Sequence, residues 1–374
     1  MSSKTVEKPI PTFEGSVEQF LIGYGQGADL KEPKFEVLST IRYDPNLGQS
    51  DSGKRNNNGP SEVRNNGKIE LNFDPKTGSD FIELFLSDTT PSRRYISIGD
   101  SCKRPPSWKY VSSLSPYYKL FYERFFLLDF HYIRINAAIA AFGWNYHITI
   151  EDLLAALIHA LQEGMEYDTI QEELDYLLSR KDIYKMRVLA SLGGKFKVEA
   201  HLLSQSNDDT NNDSTQEYFQ HTLLRGLKSN VNNWDVFINN EFINVSLFTY
   251  LKTTKREHYT KARNLMSELS KSYNKDLPTT KKSEILVYNK SNELMEGSIT
   301  NVAVWSEKEG TYVTPKASSG CLRGTMRKYL LQAGHIKEGH IHIDSLYDGE
   351  EILLFNGIMG CVKGTIRKFS TQTV

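Results

Sequence analysis

Residues 250–263 read Tyr-Leu-Lys-Thr-Thr-Lys-Arg-Glu-His-Tyr-Thr-Lys-Ala-Arg, and the organisation of the rest of the chain can be worked out from this stretch. The apolar run 244–249 before it predicts a short strand or strand end. A helix over Glu257–Tyr273 is predicted by apolar residues at helical spacing, namely Tyr259, Ala262, Leu265, Met266 and Leu269. Lys252 therefore lies where a strand gives way to a helix, between two rigid elements. A lysine there is reactive if it is desolvated or meets a carbonyl group, and is otherwise an ordinary solvated side chain.

The composition bounds the class of protein. The chain has 374 residues and a net charge of -1, which fits two domains or one large one and indicates neither a nucleic-acid nor a membrane partner. No run reaches the ~18 apolar residues of a membrane span, and the polar start lacks the apolar core of a secretory signal. Three widely spaced cysteines suggest neither a disulfide framework nor a zinc site. We therefore expect a cytoplasmic protein without a metal.

The first half of the chain predicts both strands and helices around a polar insertion. Strands are predicted at 35–43 and 126–130, and the polar run 46–68 predicts a disordered or surface insertion. Within the wider segment 46–125, residues 68–73 and 81–86 are interpreted as short strands or turns, and prolines such as Pro116 as keeping it irregular. Further elements are predicted in this half: helices at 131–144, 150–162 (after a capping-box-like Thr149) and 169–178, and a hairpin of 185–192 with 195–202 around Gly193-Gly194.

The second half begins after residues 204–217, which hold no apolar side chain and predict a linker. The remaining predictions are strands near 234–249, a strand 284–289 with 300–305 as its hairpin partner, a helix 322–332, strands 339–343 and 351–355, and a last hairpin over 359–369. Strands and helices are mixed in both halves without strict alternation, so the predicted fold class is α+β.

Four further features bear on the chemistry of Lys252. Glu296 precedes Gly-Ser at a predicted turn, and a glycine-rich turn opens the helix at Thr325 and Met326, whose backbone N–H groups suit a phosphate. Arg134 offers a planar fork to the same anion. The turn Asn356-Gly357 offers another backbone donor. Each feature alone also fits an ordinary turn, helix start or surface arginine. Together, a lysine, a phosphate cradle and an acid for a pyridine nitrogen predict a pyridoxal phosphate site.

On these residues the chain resembles the fold-type IV pyridoxal phosphate enzymes, which include branched-chain and D-amino acid aminotransferases and aminodeoxychorismate lyases. The resemblance covers 35–43, 126–144 and almost all of the second half. It implies a two-domain fold, with a smaller N-terminal α/β domain (1–205, carrying the insertion 46–125), a linker (206–217) and a larger C-terminal cofactor-binding domain (218–374). It also implies roles for Lys252 as the Schiff-base lysine, Glu296 as the pyridine acid and Arg134 for the phosphate. Ile358 departs from a frequent threonine in the second phosphate turn.

Within that family the residues after Lys252 resemble those of eukaryotic, fungal-type aminodeoxychorismate lyases. Arg256 follows Lys252 by four residues, as is usual in these lyases, and Tyr259 with Ala262-Arg263 agrees with the fungal pattern. Lys255 is the rival attachment point, but it would lie in the first helical turn. The resemblance implies that 4-amino-4-deoxychorismate is converted to 4-aminobenzoate and pyruvate, in folate biosynthesis.

The resemblance also implies how substrate and partner are bound. Arg187 resembles a substrate-carboxylate arginine of related aminotransferases, although a cross-strand surface pair is an equal alternative for it, and Arg42 is a weaker candidate. The insertion, which the resemblance does not cover, offers Arg104 or Trp108 for contacts over the site. The family is usually dimeric, so a homodimer is expected. Two alternatives stay open: an aminotransferase of the same fold acting on branched-chain or D-amino acids, and a non-catalytic binding protein on this fold.

Overall fold

The computed structural model describes residues 35–48, 77–87, 114–162, 164–204, 215–228, 232–273 and 281–368. These ranges contain ten α-helices: α1 (Gly78–Leu86), α2 (Pro116–Tyr122), α3 (Leu128–Ala141), α4 (Ile150–Leu161), α5 (Ile170–Ser179), α6 (Thr215–Tyr218), α7 (Arg225–Lys228), α8 (Leu247–Tyr250), α9 (Glu257–Tyr273) and α10 (Thr325–Gln332). They contain eleven strands: β1 (Val37–Tyr43), β2 (Ile183–Ala190), β3 (Phe196–Ser204), β4 (Asn232–Ile238), β5 (Lys282–Tyr288), β6 (Leu294–Gly297), β7 (Asn301–Ser306), β8 (Thr311–Pro315), β9 (Ile336–Gly339), β10 (Glu351–Asn356) and β11 (Gly360–Ile366). The α+β prediction is confirmed.

The N-terminal elements build an antiparallel three-stranded sheet in the order β1-β2-β3. One face of this sheet packs against α1 to α4 in the largest apolar core of the described residues. Val37, Ile41 and Tyr43 of β1 alternate into that core, as the period of two in a strand requires. Helix α3 runs through it, and every residue of α3 except Ala140 is buried.

The C-terminal elements build an eight-stranded mixed sheet in the order β6-β5-β4-β11-β10-β7-β8-β9. Strand β4 is parallel to both β5 and β11, and β8 is parallel to β9, whereas the other neighbours are antiparallel. Helix α9 covers β5 on one side through Tyr259 and Ala262. Helix α10 packs through Met326, Tyr329 and Leu330 against β10.

The two sheets meet where residues 252–254 lie along the free edge of β1. The N–H of Leu38 donates to the carbonyl of Lys252 (2.9 Å), and Val37 forms an antiparallel bridge with Thr253. The N–H of Thr254 donates to the carbonyl of Glu36 (2.9 Å). The backbone from Lys252 to Thr254 is therefore fixed against the three-stranded sheet.

Three predictions for the first half are wrong. Residues 81–86 belong to α1, because Thr77 forms a capping box with Asp80 and the spacing of Phe81 and Phe85 buries both on one helical face. Pro116 is the first residue of α2, where its missing N–H costs nothing.

The strand predicted at 126–130 is also wrong, since α3 begins at Leu128. A helix that is buried on every side has no polar stripe, so its apolar run cannot be told from a strand by periodicity.

Five predictions for the second half are corrected. The last hairpin, predicted over 359–369, is instead the single strand β11, which pairs with β10 and β4. The predicted strand end at 244–249 is the short helix α8, started by a capping box of Ser246 with Thr249. The hairpin partner of β5 is β6, whereas β7 pairs with β8 and β10. The predicted strand 339–343 is displaced, because β9 ends at Gly339. Helix α10 starts at Thr325, three residues after the predicted start.

Several other predictions are confirmed or lie outside the described residues. Helices α4 and α5, the β2–β3 hairpin and β10 match the predicted positions, and α3 is the helix predicted at 131–144 but begins and ends three residues earlier. Most of the polar insertion and of the linker, together with residues 68–73, Cys102, Arg104 and Trp108, lies outside the described residues. Among the described helices, none combines the length and apolarity that crossing a bilayer requires. The described residues also bring together no cluster of three or more His, Cys, Asp or Glu side chains suited to a metal ion.

Candidate active site

Lys252 lies near Arg256, four residues further on, and near Arg134 and Glu296 from distant parts of the chain. Burial lowers the pKa of Lys252 well below its usual value, the positive charges of Arg256 and Arg134 lower it further, and Glu296 raises it. The chain enters this position from α8, whose cap fixes the turn, and leaves it toward α9. The lowered pKa favours the neutral amine, which is both a nucleophile and a base.

Lys255, the rival lysine, is placed differently. Its side-chain nitrogen lies 5.1 Å from the centre of the Phe248 ring, a cation–π contact. Its backbone N–H donates to the Thr253 hydroxyl at 3.3 Å, so it belongs to the turn before α9. The geometry therefore favours Lys252 as the reactive amine.

Glu296 is a buried carboxylate at the end of β6 that accepts several hydrogen bonds. The Tyr259 phenol donates to Oε1, the Asn301 amide donates to Oε2 at 3.3 Å, and the backbone N–H of Leu322 also donates to the carboxylate. Burial nevertheless raises the pKa of Glu296 to about 7, against the effect of these donors and of Arg256. A cation beside the carboxylate would favour its ionised form.

Arg256 and Tyr259 form the wall behind this carboxylate. The Arg256 guanidinium donates to the Ser298 carbonyl at 2.7 Å and lies 4.3 Å from the centre of the Tyr259 ring. Burial and the neighbouring Glu296 raise the pKa of Tyr259 well above its usual value, so its phenol stays a hydrogen-bond donor. Arg256 thus contributes positive charge to the site, which lowers the pKa of both Lys252 and Glu296.

A second buried carboxylate, Glu284, holds the turn that follows Glu296. It accepts from the Ser298 N–H (2.9 Å) and hydroxyl (2.6 Å), from the Ile299 N–H (3.2 Å) and from the Thr300 hydroxyl (2.9 Å). The sequence analysis missed Glu284. The signal was available, since an acid inside the apolar strand β5 needs several donors to be buried.

The first turn of α10 presents unpaired backbone donors to the site. Its N-cap is Gly324, which has no side chain to accept from them, and the first N–H bonded within the helix is that of Lys328, to the Gly324 carbonyl (3.0 Å). A Cβ on Gly324 would lie 2.1 Å from the Asn301 amide oxygen, so only glycine fits. The Met326 side chain is fully buried in the core and so does not face the site. Its backbone N–H, in the first turn of the helix, is available to a ligand.

Arg134 reaches the same place from α3. One of its terminal nitrogens donates to the Ser39 hydroxyl at 2.8 Å, and burial lowers its pKa to about 10. Its Nε has no hydrogen-bond partner among the described residues. A buried guanidinium with an unused donor is suited to an anion.

The turn after β10 closes the cradle from the third side. A Cβ on Gly357 would lie 2.7 Å from the Thr325 hydroxyl and 3.0 Å from His131 Nε2. The Asn356 side chain holds the turn itself: its Oδ1 accepts from the N–H groups of Ile358 (2.9 Å) and Met359 (3.0 Å), and its amide donates to the Ile299 carbonyl (3.1 Å). Asn356 thus orients two turns, and its side-chain oxygen is used within its own turn.

The two arginines predicted to hold substrate have different surroundings. Arg42 uses all three side-chain nitrogens: with Asp44 (2.7 and 2.8 Å), the Ile358 carbonyl (3.1 Å) and the Tyr218 phenol (3.3 Å). Arg187, on the outer face of the three-stranded sheet, has one partner, Glu199 at 2.9 Å, and its side chain is 37% exposed. Arg187 is the more accessible of the two.

The arrangement fits a cofactor that bears both a phosphate and an aldehyde. Backbone N–H groups at Thr325 and Met326, the unused Arg134 donor and the open turn at Gly357 suit the phosphate. Lys252 suits the aldehyde, and Glu296 suits a pyridine nitrogen. The structure brings these predicted residues together, and it adds Ser39, His131 and Glu284, which the sequence analysis left out.

The chain is similar to known proteins over most of its length. The family model for amino-transferase class IV matches residues 118–365. The aminodeoxychorismate lyase of Saccharomyces cerevisiae is 38% identical over 370 residues, which cover 92% of this chain and 96% of that protein. A Schizosaccharomyces pombe protein provisionally assigned as an aminodeoxychorismate lyase is 36% identical over 118 residues, 31% of this chain and 46% of that protein. The crystal structure of a provisionally assigned amino-acid aminotransferase from Mesorhizobium loti has a TM-score of 0.48 and 17% identity, covering 89% of this chain and 100% of that one.

Proposed function

The chain belongs to the amino-transferase class IV family, and we propose that within it the protein is a pyridoxal phosphate-dependent aminodeoxychorismate lyase. The observation that carries the choice of lyase is the 38% identity to the S. cerevisiae lyase over 92% of the chain. The reaction converts 4-amino-4-deoxychorismate to 4-aminobenzoate and pyruvate, and its pathway is folate biosynthesis. Neither an aminotransferase nor a non-catalytic protein of this fold is favoured by a separate observation.

In the proposed site, each residue has one task toward the cofactor. Lys252 holds the aldehyde carbon covalently, Glu296 holds the proton on the pyridine nitrogen, and Arg256 supports the loop beside that acid. The phosphate is held by Arg134, the hydroxyl and N–H of Thr325, the N–H of Met326 and the turn Asn356-Gly357, where Asn356 acts through the backbone it orients. When bound, pyridoxal phosphate supplies an electron sink for the charge left at the amine-bearing carbon of the substrate.

Lys252 is also the proposed acid and base. When the amine of the substrate has displaced Lys252 from the aldehyde carbon, the freed side chain, whose lowered pKa favours the neutral amine, would accept the proton that leaves C4 of the substrate ring. The resulting ammonium then donates a proton to the oxygen of the departing enolpyruvyl group, which becomes pyruvate. Arg134 and Arg256 oppose a lasting positive charge on Lys252, so they favour this second transfer.

We propose Arg187 as the residue that binds a carboxylate of the substrate. Strand pairing sets Arg187 opposite Thr40 of β1, and Lys252 lies along the other edge of β1, opposite Leu38. Opposed residues of adjacent strands share a face, so Arg187 and Lys252 border the same side of the sheet. Arg42 is the weaker candidate, since its nitrogens already have partners.

The division of the chain and its assembly are part of the proposal. Residues 37–204 and 232–366 form separate sheets, which supports an N-terminal domain over 1–205, a linker at 206–217 and a C-terminal domain over 218–374. We also propose a homodimer, as is usual in this family, and a cytoplasmic location. Light scattering on the purified protein measures the oligomeric state, and fractionation of cells tests the location.

One assay tests the proposed function. The purified protein with pyridoxal phosphate and 4-amino-4-deoxychorismate should release 4-aminobenzoate, followed by its fluorescence, and pyruvate, followed by coupled reduction, in equal amounts. Steady transamination between an amino acid and 2-oxoglutarate without 4-aminobenzoate would identify an aminotransferase instead. A protein that binds no pyridoxal phosphate would contradict both activities and favour the non-catalytic alternative.

A further inference from the structure

His131 lies at the centre of a chain of hydrogen bonds that joins β1 to the first turn of α10. The Ser39 hydroxyl is 2.8 Å from His131 Nδ1, and the Thr325 hydroxyl is 3.3 Å from Nε2 on the other side of the ring. An Arg134 terminal nitrogen lies 2.8 Å from the Ser39 hydroxyl and 3.3 Å from Nδ1. All four side chains are buried, so their hydrogen bonds have to be satisfied by one another or by a ligand.

The direction of each hydrogen bond follows from Arg134. A guanidinium can only donate, so both the Ser39 oxygen and His131 Nδ1 accept from Arg134, and the Ser39 hydroxyl hydrogen then donates to Nδ1. Nδ1 then faces two donors, the Ser39 hydroxyl and Arg134, and must be the nitrogen without a proton. Burial, Arg134 and Lys252 lower the pKa of His131 well below its usual value, so the ring is neutral. The single ring proton is therefore on Nε2.

This tautomer decides what the Thr325 hydroxyl can do. His131 Nε2–H donates to the Thr325 oxygen, which leaves the hydroxyl hydrogen free to point elsewhere. Thr325 is the first residue of α10, beside the unpaired N–H groups of the helix start, and Gly357 leaves its hydroxyl uncovered. With the opposite tautomer, the hydroxyl would donate to His131 and turn a lone pair toward the anion site.

We propose that His131 is a positioning residue, which holds the Thr325 hydroxyl as a donor toward the cofactor phosphate. The inference rests on the proposed function for the identity of the anion. Ser39 and Arg134 keep the proton off His131 Nδ1. The proton is therefore on Nε2, which donates to the Thr325 hydroxyl at the start of α10. Through Ser39, β1 thereby contributes to phosphate binding without contacting the phosphate itself.

The test measures binding of two ligands to the apoprotein: pyridoxal phosphate, and pyridoxal, which lacks the phosphate. In His131→Phe, the dissociation constant for pyridoxal phosphate should rise about 10- to 100-fold, the range for losing one hydrogen bond to a charged group. Binding of pyridoxal should change by about twofold or less. A role in packing alone would weaken both ligands alike.

A double variant adds a second readout. Thr325→Val removes the hydroxyl, so combining it with His131→Phe should cost no more than Thr325→Val alone, to within about twofold. Ser39→Ala removes the hydroxyl that donates to Nδ1 and leaves the His131 ring in place. It should weaken the binding of pyridoxal phosphate about 3- to 10-fold and leave the binding of pyridoxal unchanged. It carries the test if His131→Phe does not fold.

The matched control is His335→Phe, which changes a partly buried histidine beside Tyr329 in the C-terminal lobe, away from the phosphate turns. It should leave both affinities unchanged. Equal weakening of pyridoxal and pyridoxal phosphate by His131→Phe, or full additivity with Thr325→Val, would overturn the inference. If the wild-type apoprotein binds no pyridoxal phosphate, the proposed function itself fails, which is a separate and distinguishable result.

Discussion

The buried edge around Lys252 and the outer face of the three-stranded sheet use charge in opposite ways. At the edge, Lys252, Glu296 and Arg134 are enclosed by protein, and burial shifts the pKa of all three. On the sheet face, Arg187 shares Glu199 with Lys197, at 2.9 and 3.0 Å, and all three side chains are partly exposed. Breaking a buried charge pair costs several kcal/mol, so buried charges keep fixed partners. Exposed ion pairs stabilise the protein by about 1 kcal/mol or less, so their partners can exchange. The edge therefore suits a resident cofactor and the face suits a substrate that comes and goes.

Lys252→Ala should produce the largest effect, because it removes the amine on which the buried edge depends. Activity should be lost, with no measurable turnover, and the visible absorption of the bound cofactor should disappear. Absorption spectroscopy and borohydride reduction of the holoprotein provide the measurement. Lys255→Ala is the matched control, and should retain both properties because Lys255 lies against Phe248. Absorption that survives in Lys252→Ala and is lost in Lys255→Ala would reverse the assignment.

Glu296→Gln should give the next largest effect, since it keeps the shape of the side chain and removes its charge. The Tyr259 phenol can still donate to the amide oxygen, so the site should stay folded. The amide cannot stabilise a pyridinium, and kcat should fall about 100- to 1,000-fold, the range for losing one electrostatic group at a reacting centre. Steady-state kinetics on protein with equal cofactor content measures this. A loss below about tenfold would remove Glu296 from the proposed role.

The buried edge was largely predictable from sequence because its residues come in short motifs. Glu296 precedes a Gly-Ser turn, and Thr325 follows Gly324 at the start of a helix. The local backbone geometry of each can therefore be predicted from its neighbours in sequence. Their convergence was inferred from their order along the chain, through the family resemblance. His131 and Glu284 were missed, because their roles depend on partners 194 and 14 to 16 residues away that no local pattern indicates.

Two errors in the fold share a physical cause. The first turn of α3 is buried on nearly every side and α8 has only four residues, so neither segment shows the amphipathic period on which helix prediction depends. The partner of β5 was wrong because β6 is itself short and lies inside the motif that carries Glu296. Tertiary pairing, which is decided by the whole sheet, selected a neighbour that local pattern did not.

Arg187→Ala and Arg42→Ala should separate the two arginines in different measurements. Loss of Arg187 should raise the KM for 4-amino-4-deoxychorismate about 10- to 100-fold and leave thermal stability nearly unchanged, because its pair with Glu199 is exposed. Loss of Arg42 should leave the buried Asp44 without its cation and reduce the free energy of unfolding by about 3 kcal/mol. Kinetics and urea unfolding on both variants make the comparison. A KM effect confined to Arg42→Ala would exchange their roles.

The smallest expected effect is the pH dependence of stability that the buried edge confers on the apoprotein. Burial raises the pKa of Glu296 from an ordinary value near 4.5 to about 7, so the folded protein binds this proton more tightly than the unfolded chain does. The resulting stabilisation is present in full below pH 4.5 and is lost as pH rises through about 7. Between pH 6 and pH 8, Glu296 should lower the free energy of unfolding by about 1 kcal/mol.

Urea unfolding of wild-type apoprotein and Glu296→Gln at pH 6, 7 and 8 measures this contribution as the difference between the two proteins. The wild type should lose stability relative to the variant as pH rises, since the amide does not titrate. Pyridoxal phosphate should reduce the difference in slope, because a pyridinium beside Glu296 favours the ionised carboxylate and lowers its pKa. Parallel pH profiles for the two apoproteins would mean that water or a nearby cation already solvates this carboxylate. The buried edge would then lose the property that distinguishes it from the exposed sheet face.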